Sequence, residues 1–237
     1  MAVCGYGAGR ETMNSQNTLS LVTSEYLRTY EKILRELIEG MTGAPLTESI
    51  SHNFIVQMIP HHRAAIEMSK NLLRFTTNIP LQNIALQIIS EQTKSIADME
   101  AALPLCRRLM NPPQDVRAYQ NKTESIMKTM FSEMGSAPAD NDLNTDFVRE
   151  MIPHHMGAIR MSENALSQNI CPDLVPILTA IITSQKRGVR QMEELLKKSP
   201  GKPEDLCHES YCQQITGVEP AFPAWEASVL PMNHICK

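Results

Sequence analysis

From Leu19 to Met41 apolar side chains recur at three- and four-residue intervals, at Tyr26, Leu27, Tyr30, Ile33, Leu34, Leu37, Ile38 and Met41. That is the period of a helix with one buried face. Gly40, Gly43 and Pro45 predict its end. A second helix is predicted from about Ser51 to Phe75, with Thr47 or Ser49 as its cap and Asn78 and Pro80 beyond its end. A third starts at Pro80, suited to a first helical position, and runs to about Leu103, where Pro104 stops it. No stretch alternates with period two for long enough to predict a sheet, so the chain reads as all-α.

The pattern then returns at a constant offset of 93 residues. Between Phe54–Leu103 and Phe147–Leu196 there are 20 identities in 50 ungapped positions. The register extends backward, with Tyr26 matching Tyr119, Ile33 matching Ile126 and Met41 matching Met134. Each unit is a three-helix repeat, 22–111 and 115–198, with Pro112-Pro113 at the joint and a distinct, irregular tail at 199–237. Two copies are too few for a solenoid. A closed, pseudo-twofold bundle buries both apolar faces, with the second and third helices of each repeat at its centre.

The best-preserved stretch is Met58-Ile59-Pro60-His61-His62-Arg63-Ala64-Ala65-Ile66-Glu67-Met68, which returns as Met151-Ile152-Pro153-His154-His155-Met156-Gly157-Ala158-Ile159-Arg160-Met161. Four of the seven histidines lie in these two pairs. At about 100° per residue, Met58, His61, His62, Ala65, Met68, Ser69 and Leu72 share one helix face. The spacing pairs Met68 with His61 and Met58 with His62. Pro60 removes a backbone donor and frees the Val56 carbonyl, as Pro153 does in the second repeat. The third-helix stripes carry Gln92 and Met99 in one repeat and Gln185 and Met192 in the other. A buried amide needs a partner, either an imidazole N–H across the bundle or backbone near the proline bend.

Composition narrows the chemistry. With 42% hydrophobic and 20% charged residues and no apolar run long enough to cross a bilayer, the chain is an ordinary globular protein without a membrane span. A net charge of -4, mixed along the chain, offers no basic face for nucleic acid. Fifteen methionines against five Phe, five Tyr and one Trp make the core rich in thioether. Neutral imidazole beside thioether is a donor set for a soft metal ion, copper(I) before other first-row ions. The candidate ligands are His61, His62, Met58 and Met68 in one repeat and His154, His155, Met151 and Met161 in the other, with Gln92, Met99, Gln185 and Met192 facing them. Such a site loses affinity on acidification, and unperturbed imidazole protonates near pH 6.5. The alternative is a metal-free structural or partner-binding bundle whose histidines bond carbonyls freed at the prolines. A di-iron oxidase would need Glu-x-x-His on two helices. Glu150 lies four residues before His154, its counterpart is Gln57, and no catalytic constellation is recognisable.

The pattern M-I-P-H-H-x-x-A-I-x-M, followed by I-I-x-x-Q and then Met, resembles that of the DUF305 family. The resemblance covers 54–103 and 147–196. It implies a ferritin-like four-helix core, in single or tandem copies, mostly in exported bacterial proteins, some of which handle copper through His and Met.

The six cysteines lack the density of a small disulfide scaffold. In the tail, Cys207, His208, Cys212, His234 and Cys236 leave open a zinc site, a disulfide pair or unpaired thiols, the spacing matching no strong zinc template. Met1 to Gln16 shows no basic start, apolar stretch and small-residue cleavage site in succession. The expectation from these residues is a cytoplasmic protein, and from the family habit an extracytoplasmic one.

Overall fold

The computed structural model describes residues 19–198. Six helices follow one another: α1 (Leu21–Thr42), α2 (Ile50–Leu73), α3 (Ile79–Cys106), α4 (Pro113–Gly135), α5 (Leu143–Leu166) and α6 (Leu174–Lys198). No strand occurs among the described residues.

Polar side chains set most of the starts. The Ser20, Ser49 and Asn78 side chains accept from the N–H groups of Thr23, His52 and Leu81, and Asp142 accepts from Asn144 and Thr145. Each satisfies donors that a first turn leaves without intrahelical partners. Two predicted stops are passed. α3 continues through Pro104 to Cys106. Pro104 removes only its own N–H close to the helix end, and the ladder resumes where Arg107 N–H bonds Leu103 O. α1 likewise runs through Gly40 and closes at Gly43, whose N–H reaches Glu39 O. Gly40 serves packing instead, because a Cβ there would stand 2.8 Å from the Cβ of Pro60 on α2.

α2 and α5 form the centre. α3 packs on α2, α6 on α5, α3 on α6 and α2 on α5, so these four helices close a ring, with α1 laid on α2 and α4 on α5. The whole predicted face of α2 is buried, from Met58 and His61 to Ser69 and Leu72. The core joins Tyr26, Phe54, Leu72 and Leu81 with their counterparts Tyr119, Phe147, Ala165 and Leu174. A disulfide between Cys106 at the end of α3 and Cys171 just before α6, Cα atoms 5.1 Å apart, joins the two halves. Beside it Ser51 Oγ accepts from Cys171 N–H, and Ser49 Oγ donates to Cys106 O.

Candidate metal centre

The helical repeat brings both motifs to the point where α2 meets α5. The rings of His61 and His154 stack there, centroids 3.7 Å apart and planes 30° from parallel. His61 Nε2 lies 3.2 Å from His154 O, and His154 Nε2 lies 3.1 Å from His61 O. A carbonyl only accepts, so each Nε2 carries the proton and donates. In a neutral ring this leaves Nδ1 as a bare lone pair. Neither Nδ1 has a partner.

The second histidine of each pair turns elsewhere. His62 Nε2 lies 3.1 Å from Ser95 Oγ on α3. In the second repeat that serine is replaced by Gly188, whose missing Cβ would stand 2.8 Å from His155 Nε2. Within each pair the ring centroids are 5.9 Å and 6.1 Å apart.

All four imidazoles are buried. Loss of solvent pushes His62 down to about 3 and His154 to about 4, and lowers His61 and His155 well below the ordinary value, with neighbouring histidines adding to the effect on His61, His62 and His155. Burial disfavours the imidazolium because a low-dielectric interior solvates the charge poorly. Proton competition therefore moves well below the pH 6.5 expected from the sequence. Met58, Met68 and Met99, with Met151, Met161 and Met192, are also buried, 0–1% exposed. Glu150, the carboxyl nearest the second motif, accepts a 2.5 Å hydrogen bond from Tyr26 O–H. Among the described residues no group of three or more His, Cys, Asp and Glu side chains is arranged to hold a metal ion.

Four kinds of buried, unpartnered polar atom recur at equivalent positions of both repeats. They are Nδ1 of His61 and His154, Nδ1 of His62 and His155, Oγ of Ser69 and Ser162, and Oε1 of Gln92 and Gln185. Leaving such an atom without a partner costs about 1–3 kcal/mol. The expected partners for the glutamines are not met. The His61 and His154 N–H groups already serve carbonyls, and both Gln92 amide atoms remain unpaired. The carbonyls reached by the imidazoles also differ from expectation. They belong to the facing motif, across the α2–α5 contact, rather than to Val56 in the first repeat or to Val148 and Arg149 in the second.

The family profile described as "Domain of unknown function (DUF305)" matches residues 51–196, more than half of the chain. The chain belongs to the DUF305 family. Among solved structures it is similar to a DUF305 fragment from Deinococcus radiodurans, at 22% identity over 65% of this chain and 100% of that one, TM-score 0.47. It is also similar to CopM in an Ag-bound form obtained by soaking, at 25% identity over 65% and 100%, TM-score 0.48. CopM in the apo form shows 27% identity over 64% and 98%, TM-score 0.48. No curated protein matches.

The DUF305 match spans both histidine pairs, and the donor atoms on them fit a soft ion by chemistry: uncharged nitrogen, thioether, and lone pairs with no competing donor. Ser95 is a contact that the motif spacing does not reveal. Its place three residues after Gln92, and the change to glycine at 188, is the trace that a comparison of the repeats contains. Cys207, His208, Cys212, His234 and Cys236 lie outside the described residues.

Proposed function

We propose that this protein binds and sequesters a soft monovalent metal ion, copper(I) by preference, between α2 and α5. The supporting observation is the reciprocal pair of imidazole-to-carbonyl bonds, which hold His61 and His154 with protonated Nε2 and leave both Nδ1 lone pairs buried and unused. On this reading His62 and His155, with the thioethers of Met58, Met68, Met151 and Met161, are the further donors, and Gln92, Met99, Gln185 and Met192 on α3 and α6 are the candidates to face them. Bound copper(I) would accept electron density from these neutral groups. The protein's part is to present lone pairs without protons, since burial keeps the imidazoles neutral. The Cys106–Cys171 bond supports an oxidising compartment, where disulfides persist.

A metal-free structural bundle is the second reading, favoured by the same two bonds, which by themselves join α2 to α5. An anaerobic copper(I) titration against a competing chelator separates the two. His61→Gln with His154→Gln keeps an N–H for each facing carbonyl but removes the nitrogen lone pair. The parent should bind, and the double variant should bind about tenfold or more weakly at unchanged helicity. Absence of uptake by the parent, or equal affinity in a folded variant, leaves the structural reading.

A further inference from the structure

The two histidine pairs repeat in sequence, but their surroundings are not alike. In the first repeat Ser95 Oγ covers His62 Nε2 at 3.1 Å. In the second, no side chain stands in that place, because residue 188 is glycine. The space beside Gly188 is a small cavity with room for about one water molecule, bordered by His155, Gln92, Gln185 and Ser184. Both glutamines are 2–3% exposed and carry amide atoms with no partner, so the cavity wall presents polar groups that nothing in the fold uses.

The cavity adjoins a groove on the same face of the bundle. Ile84 and Gln87 on α3 and Gln191 on α6 border both the cavity and this groove of about 220 Å³. At the groove's outer end are Pro80, Asn83 and Glu194. The same α3–α6 seam is bridged by Arg187 and Glu91, and the equivalents of these residues in the opposite repeat are Lys94 and Ser184. A Glu194 carboxylate at the mouth, amide oxygens farther in and an imidazole at the end form a graded series of donors, hard to soft, suited to a cation shedding its water.

We propose that the seam between α3 and α6 is the passage by which a soft monovalent cation reaches the buried histidines, and that His155 is the first imidazole it meets. His62, covered by Ser95, is reached afterwards. This inference rests on the metal-binding reading above and adds to it a route and an order. Gly188 is the residue that lets the His155 ring lie against α6 at the inner end, where a side chain would displace it. Gln92 and Gln185 act as relay donors, each contributing an amide oxygen that the folded chain leaves unpaired.

The test uses the full chain and two variants that close the passage differently. Gly188→Ser places a side chain against His155, as Ser95 does against His62, and Gln191→Trp fills the groove without touching the imidazole. Transfer of copper(I) from a chelator, followed by stopped flow, should be at least about tenfold slower in both. Separately, silver(I) added at half an equivalent to ¹⁵N-labelled parent should move the His155 ring signals in long-range ¹H–¹⁵N spectra before those of His62. Circular dichroism establishes that each variant is folded, and Gln191→Trp carries the kinetic arm if Gly188→Ser does not fold. Slowing in Gly188→Ser alone would mean a disturbed ring rather than a blocked passage, and would overturn the proposal. So would parent-like rates in a folded Gln191→Trp, or simultaneous movement of His62 and His155. A parent that takes up neither ion fails the functional reading itself, a result distinct from any of these.

Discussion

At the level of single residues, the buried titratable groups pull in opposite directions with pH. His62 and His154 have folded pKa values depressed to about 3 and about 4. Their contribution to stability is complete above the unfolded value near 6.5 and is lost as pH falls from there toward those values. At pH 5 the gap of 1.5 units from 6.5 corresponds to about 2 kcal/mol for each of the two. Urea unfolding of the metal-free protein at pH 7.5 and pH 5 should show a loss of at least this order, and His62→Phe should lessen the pH dependence. Glu150 behaves oppositely. Burial raises its pKa well above the ordinary value against the Tyr26 hydrogen bond, so its contribution is present at low pH and is lost as pH rises through the folded value. The first repeat has Gln57 in its place. Glu150→Gln should therefore be more stable than the parent at pH 8, by a margin that shrinks toward pH 5. A margin independent of pH would mean that the carboxyl is already accommodated as a charge.

The helices are defined partly by contacts that a single-helix pattern does not contain. Gly40 lies inside α1 where the backbone passes Pro60, and an added Cβ would approach to 2.8 Å. Because both atoms belong to packed elements, relief requires moving α1 away from α2. Gly40→Val is expected to destabilise the protein by about 1–3 kcal/mol, the range for overpacking, as measured by denaturant midpoint at constant slope. Gly43 is tight in another way: an added Cβ would stand 2.9 Å from the Glu39 backbone oxygen that the Gly43 N–H already bonds. The passage of α3 through Pro104 follows the same logic. The helix extends two residues farther because Cys106, fully buried, is held by the disulfide and by Ser49, whose hydroxyl donates to its carbonyl.

For the molecule as a whole, the Cys106–Cys171 bond closes a separation of 65 residues and joins the end of α3 in the first repeat to the segment just before α6 in the second. On the loop-entropy model, a closed loop of that length contributes about 4 kcal/mol, within the usual 2–4 kcal/mol for natural bridges. Cys106→Ser with Cys171→Ser should lower the stability by about 2–4 kcal/mol. Thiol titration of denatured, unreduced protein should find no more than four of the six cysteines free. Six free thiols would show the bond absent in solution.

The sequence by itself was sufficient for the helical class, the offset of 93 residues and the buried face of α2, because helical period and internal repetition are local properties written in apolar spacing. It was also sufficient to single out His61, His62, His154 and His155, since a doubled histidine pair stands out from any core pattern. Only the tertiary structure decided which groups those histidines face. His61 and His154 meet across 93 residues and spend their Nε2 protons on each other's carbonyls, while the Oε1 atoms of the glutamines expected to receive them remain unpaired. Likewise nothing local relates Cys106 to Cys171, or shows that Ser95 and Gly188 make unlike neighbourhoods of like motifs. Spacing along a helix determines the direction in which a side chain leaves it. The partner it finds there depends on which other helix is packed against that face and at what height, and that is set by the whole chain.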